Sequence, residues 1–228
     1  LTQTKQTMMT PSTLEEYVQQ ALNVLNNVDQ KELKANGLKR IKFSFMARGE
    51  PLLNPTILDN WDELRRSLKS LIDPYFDVEF CISTIFPKAF DRSLESIFKT
   101  PDVVLYYSIY STNQKFRRKW LGKAHSTTTA LAAIMRYHQT TSNRIKFHSA
   151  FIENENDSTS DVHLLASEIK HYMRNIPYKF NIVRYNPYSE DQGVESPRLD
   201  GIQSQLKAKV ISRVGPDVQA SCGMFYAN

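Results

Sequence analysis

The feature that most constrains this chain is a regular exchange between two hydrophobic periods. Stretches with apolar residues three and four positions apart, the spacing of amphipathic helices, alternate with short apolar runs of strand length. Leu14, Val18, Ala21, Leu22 and Leu25 share one helical face, preceded by Ser12 and Thr13 with Glu15 and Glu16, the chemistry of a capping box; this helix ends near Asn27. Strands are predicted over 41–46, 78–83, 103–109, 146–152 and 180–185. Between them, helical spacing recurs in Ile57, Trp61, Leu64, Leu68 and Leu71, again in Phe90, Leu94 and Ile97, in Leu131, Ile134, Met135 and His138, and in Val162, Leu165, Ala166 and Ile169. A weaker helix over 197–206 and an extended piece at Val210 close the pattern. Strands joined through helices run parallel and cross over right-handedly, which makes the chain α/β. Periodicity alone leaves two architectures open, a doubly wound sheet and a full or partial barrel. In both, ligands meet the carboxyl ends of the strands, here Gly49-Glu50, Ser83-Thr84, Ser108-Ile109-Tyr110, Asn156-Asp157 and Asn186.

With 228 residues and 41% hydrophobic content the chain can bury a core of its own, and neither an internal repeat nor a Gly/Ser-rich linker suggests a second domain. No apolar run reaches the roughly 18 residues of a membrane span, and the polar start at Leu1-Thr2-Gln3-Thr4 is unlike a signal peptide, so a cytoplasmic, membrane-free protein is expected. Cys81 and Cys222, the two cysteines, sit in unlike contexts and are expected to be reduced. A formal charge of +5 favours an anionic polymer as partner. Lys115, Arg117, Arg118, Lys119 and Lys123, interleaved with Phe116 and Trp120, read either as a loop that contacts the backbone of an anionic polymer or as a solvated face with two anchoring aromatics. The histidines His125, His138, His148, His163 and His171 lack the spacing of a helical ligand pair, so no metal site is expected from them; His148 alternates with Lys146 and Ala150 and is a candidate to line a barrel.

Several strand ends also carry a resemblance. Phe45 to Asn54, F-M-A-R-G-E-P-L-L-N, is similar to M-G-M-G-E-P-L-L-N of the RlmN/Cfr methyltransferases. Collinear with it, Cys81-Ile82-Ser83-Thr84 resembles L-S-T-S-G, Ser108 to Asn113 resembles S-L-H-A-P-N, Glu155 to Ser158 resembles a V-N-D segment, and Asn181 to Pro187 resembles N-L-I-P-W-N-P. Arg213 to Phe225, R-V-G-P-D-V-Q-A-S-C-G-M-F, is similar to R-G-D-D-I-D-A-A-C-G-Q-L. The departures are Ile85 and Phe86 in place of Ser-Gly and Tyr110 in place of histidine.

The resemblance implies a partial (β/α)6 TIM-like barrel of the radical-SAM type over residues 1–228. Its cofactors would be S-adenosylmethionine and a [4Fe-4S] cluster, with Gly49, Glu50, Ser83, Ser108, Ile109, Tyr110 and Asn186 binding the former. Cys222 would accept a methyl group, lose a hydrogen atom to a deoxyadenosyl radical and pass the carbon to an adenine. The implied substrate is carbon 2 of an adenosine in large-subunit ribosomal RNA, with transfer RNA as a second target, or carbon 8 as in Cfr. A monomer served by an electron donor such as flavodoxin is expected. Carbon 2 of adenine is electron-poor, which is why such chemistry needs a radical relay. In the family C-x-x-x-C-x-x-C and a small RNA-binding domain precede the segment at which this sequence begins, so the chain is expected to be an inactive C-terminal part of a longer enzyme. A catalytically dead RNA-binding relative is the alternative.

Overall fold

The structure, a computed structural model, describes residues 10–46, 49–187 and 193–212. The first helix, α1 (Leu14–Leu25), is closed by the expected capping box: Thr13 accepts from the Glu16 amide and Glu16 reaches back to the Thr13 amide. A short α2 (Gln30–Ala35), capped by Asp29, was not anticipated because six residues carry too little periodicity to register. Thereafter β1 (Arg40–Phe45), α3 (Pro55–Ser70), β2 (Asp77–Thr84), α4 (Leu94–Ile97) and β3 (Val103–Ser108) alternate. They are followed by α5 (Gln114–Trp120), α6 (Thr127–Thr141), β4 (Arg144–Ser149), α7 (Thr159–Tyr172), β5 (Tyr178–Val183), α8 (Leu199–Leu206) and β6 (Lys209–Ile211).

Among the described residues all six strands are parallel and pair in sequence order, β1 to β6. That order decides between the two architectures. A doubly wound sheet reverses direction at a switch point and covers both faces with helices, whereas sequential winding keeps the helices on one face and curls the sheet into a half-barrel. Phe43, Phe45, Phe80, Ile82, Leu105, Tyr107, Phe147, Phe180 and Ile182 turn toward the helices and join Ile57, Trp61, Leu64, Ile134, Val162 and Leu165 in one core. Intervening residues face the concave side.

A second, smaller core lies among the loops that follow the strands. Phe116, Trp120, Leu121, Ala124, Ala150, Ile152 and Tyr185 bury one another there, with Ile85 and Tyr110 packed against them. This cluster explains why β4 and β5 begin and end about two residues earlier than predicted: Ala150, Ile152 and Tyr185 are apolar because they fill the loop core, not because they belong to the ladder.

Candidate functional site

Glu50 stands where β1 gives way to a turn of 3-10 helix (Pro51–Leu53) that it caps. One carboxylate oxygen accepts from the Leu52 amide at 3.1 Å and the other from the Ile85 amide at 3.0 Å, so the side chain ties the end of β1 to the end of β2. Burial pushes its carboxyl above the ordinary value, and hydrogen bonds from Thr84, Ile85 and Leu52 partly oppose that shift. Three donors on the four lone-pair sites of the carboxylate leave one site for a ligand donor. Gly49 has φ 80°, a conformation in which a side chain is strained. A groove of about 810 Å³ between α1 and β1 reaches both residues.

The ends of β2 and β3 bear Ser83 and Ser108, both part-exposed on the concave face. Thr84 accepts from the Phe86 amide at 2.8 Å, and Phe86 is buried with φ 59°. The chain thus keeps a glycine-like conformation with a phenylalanine, whose ring packs against Phe90, Tyr107 and His125. Ile109 is fully buried, and Tyr110 has φ 56°. The Tyr110 carbonyl accepts from Ser149 at 3.2 Å and from the Asn156 side-chain amide at 3.1 Å.

Asn156 and Asp157 are structural clamps. Asn156 also donates to the Ala150 carbonyl and accepts from the Ile152 amide, while Asp157 accepts from the Asn154 amide and the Ser196 hydroxyl. Asn186 follows β5 and donates to the Arg184 carbonyl at 3.3 Å; Arg184 forms a bidentate pair with Glu195. Successive loops are thereby stitched into one rim along the strand ends, and Glu50, Ser83, Ser108, Ile109, Tyr110 and Asn186 all lie on it. Cys222 lies outside the described residues.

The basic segment requires a correction. It is not a loop: Asn113 caps α5 by accepting from the Lys115 and Phe116 amides, and the helix runs to Trp120. Arg117, read as an RNA-contact candidate, is 5% exposed and donates to the carbonyls of Ile109, Ser111 and His125. Its charge is spent fixing the β3 end, because helical spacing turns positions 116, 117 and 120 inward. Lys115, Arg118 and Lys119 are exposed on the outer face of α5, and Lys123 follows it. Lys119 pairs with Glu155, which also accepts from the Trp120 ring at 3.1 Å.

Sequence reasoning missed the charge on the concave face. Glu79, 3% exposed, places one oxygen 2.7 Å from both Arg40 and Arg144. Beside it Cys81, Val104 and Tyr106 form a small buried cluster, with the Cys81 thiol 3.8 Å from the Tyr106 hydroxyl. His148 does face this side, as the alternation with Lys146 suggested. The missed signal was period two: charged and apolar residues alternate in 40–45, 144–149 and 178–182, whereas the strands were read as apolar runs.

Sequential winding, one-sided helices and a polar rim at the strand ends define a partial TIM-like barrel. Among solved structures, a radical-SAM methyltransferase from Sphaerobacter thermophilus superposes with a TM-score of 0.65 at 21% identity, covering 93% of this chain and 61% of that one. Streptococcus suis SuiB bound to S-adenosylmethionine does so at 0.62 and 11%, covering 92% and 46%. No family model matches. Among curated proteins, a probable dual-specificity RNA methyltransferase RlmN from Staphylococcus carnosus is 26% identical over 227 residues, 93% of this chain and 57% of that protein. One from Porphyromonas gingivalis is 25% identical over 79% of this chain and 52% of its own length, and one from Sulfurimonas denitrificans 23% over 81% and 52%. The chain is thus similar to RlmN-named RNA methyltransferases along most of its own length, and it spans about half the length of the curated relatives it matches.

The two cofactors of such enzymes fit these residues unequally. The rim offers carboxylate, hydroxyl and amide groups suited to an amino-acid-bearing nucleoside. A cluster held by three thiolates finds no such set here, since the sequence has two cysteines and Cys81 is buried against Tyr106. Among the described residues no group of three His, Cys, Asp or Glu side chains could hold a metal. No helix among them is long and apolar enough to cross a membrane.

Proposed function

We propose that this chain forms the S-adenosylmethionine-binding wall and the methyl-accepting element of a radical-SAM RNA methyltransferase that modifies carbon 2 of an adenosine. The observation that supports the reading is the rim of strand ends along which Gly49-Glu50, Ser83, Ser108 and Asn186 are placed, the positions where the motif resemblance expects cofactor-binding residues. Glu50, already committed to two backbone amides and the Thr84 hydroxyl, has one lone pair left for an ammonium group, while Ser83 and Ser108 offer hydroxyls on the concave face. Cys222 in the A-S-C-G segment acts as a thiolate: its sulfur forms a bond to the cofactor's methyl carbon, the sulfonium bond to that carbon breaks, and a neutral thioether leaves. An iron-sulfur cluster supplies the radical chemistry in such enzymes, and these residues do not hold one. The substrate is large-subunit ribosomal RNA, with transfer RNA as a second target. The exposed Lys115, Arg118, Lys119 and Lys123 beside the rim provide phosphate contacts.

The test is mass spectrometry of the complete protein after incubation with methyl-labelled S-adenosylmethionine. Label on the Cys222 peptide, and its loss with RNA methylation in Cys222→Ala, is the expected result. RNA methylated normally by Cys222→Ala would remove the relay. Methylation at carbon 8 instead would keep the relay and change the target. The buried Phe86 and the part-buried Tyr110, which replace a glycine and a histidine of the family pattern, favour a second reading: an RNA-binding relative without catalysis, marked by RNA binding with no label on Cys222.

A further inference from the structure

The half of the concave face built by β4, β5 and β6 carries charge that the strand-end rim does not use. Lys146 and Lys179 are direct register partners, and in the next row His148 pairs with Asn181 and Asn181 with Lys209. The alternate residues Phe147, Phe180 and Ile182 enter the helix-side core, and Val210 packs against it, so these five side chains share the concave side. No carboxylate occupies either row; Glu79 of β2 compensates Arg40 of β1 and, one pleat before Lys146, Arg144 of β4. Among the described residues Lys179 and Lys209 are exposed and make no ion pair.

The remaining groups are held in place. Lys146 donates to the Tyr106 hydroxyl at 2.8 Å, and burial together with Lys42 and Lys179 lowers its pKa, partly opposed by Cys81 and Glu79. The His148 ring is fixed by Asn181 at 2.9 Å and by the Tyr106 ring, edge to face at 4.7 Å. Burial, reinforced by Lys146, brings its pKa down to about 4, so it is uncharged at neutral pH. Like charges placed directly across a strand pair repel, and an anion seated between them would remove that repulsion.

The geometry points to a binding site for a compact phosphate or diphosphate group, gripped by Lys146, Lys179 and Lys209 over a hydrogen-bonding floor of His148 and Asn181. Two interstrand steps by one pleat repeat give a patch of roughly 10 by 7 Å, which suits a compact dianion better than an extended strand of nucleic acid. Ser108 is the register partner of His148, so the bound group would adjoin the strand-end rim. The inference goes beyond methyl transfer and does not depend on it.

The experiment is a titration of the whole chain with inorganic pyrophosphate, followed by histidine side-chain NMR, in the native protein and in the double variant Lys179→Gln, Lys209→Gln. His148 faces Ser108 and Tyr106 on β3, Lys146 on its own strand, and Asn181, Lys179 and Lys209 beyond, so an added anion should raise its titration midpoint. Saturable binding with that rise is expected, weakened at least about tenfold in the double variant by the loss of two charge-assisted contacts. Thermal melting verifies that the variant is folded. Absence of any His148 response, or equal binding by the variant, overturns the site. A single-stranded RNA oligonucleotide is titrated in parallel: if RNA alone binds, and the double variant weakens it, the face tracks an extended backbone and the compact ligand is wrong.

Discussion

Two titratable residues on the concave side and rim act on stability with opposite sign. His148 is held at about 4 against an ordinary 6.5, so below pH 6.5 the unfolded chain takes up a proton that the folded chain refuses, and stability falls as pH drops toward 4. The full effect is at most about 3 kcal/mol. Glu50 has a raised carboxyl, so the folded state holds its proton longer; stability is greatest below pH 4.5 and declines as pH rises above it. The two slopes oppose each other between about 4.5 and 6.5. Denaturant midpoints measured across pH 4 to 7 should therefore rise less with pH in His148→Gln than in the native chain, because the variant loses the histidine's contribution and keeps that of Glu50. An unaltered profile in His148→Gln would show that the imidazole titrates normally. Phe86 is a different kind of residue-scale compromise: a left-handed backbone costs roughly 1–2 kcal/mol for a side chain, and the buried ring against Phe90 and Tyr107 outweighs it.

Among the elements, α5 separates two uses of positive charge within one turn. Arg117 supplies donors to two carbonyls just after β3 and to that of His125 beyond α5, and truncation would leave them unsatisfied in a buried place. Arg117→Ala should cost about 2–4 kcal/mol by chemical denaturation. Lys115→Gln with Arg118→Gln, on the exposed face, should change stability by less than about 0.5 kcal/mol. The same pair should lower the salt dependence of RNA binding by nearly two counterions. If Arg117→Ala proved as stable as the native protein, its guanidinium would be free for RNA after all.

Across the whole molecule, stability should be graded from the centre of the sheet outward. β2 and β3 are paired on both sides and almost wholly buried, β1 has one neighbour and alternating exposure, and β6 is three residues long. Amide hydrogen exchange should show β2 and β3 opening only with global unfolding, and β1 and β6 opening by cheaper local routes. Equal protection of β1 and β3 would mean that the sheet unfolds as one unit with its edge.

What the sequence determined by itself was local and periodic. The helix faces, five of the six strands, the Thr13 capping box and the motifs at the strand ends were readable because neighbouring residues in the chain are also neighbours in a helix turn or pleat. Tertiary structure decided whatever depends on which strands lie side by side. The choice of half-barrel over doubly wound sheet rests on pairing order, which periodicity does not encode. Arg117 reads as a surface cation until the carbonyls of Ile109, Ser111 and His125 are brought around it. The lysines of β4, β5 and β6 stand 30 residues or more apart in the chain or on separate pleats, and only the register makes them one patch, because electrostatic repulsion and ligand binding act through space and not along the backbone.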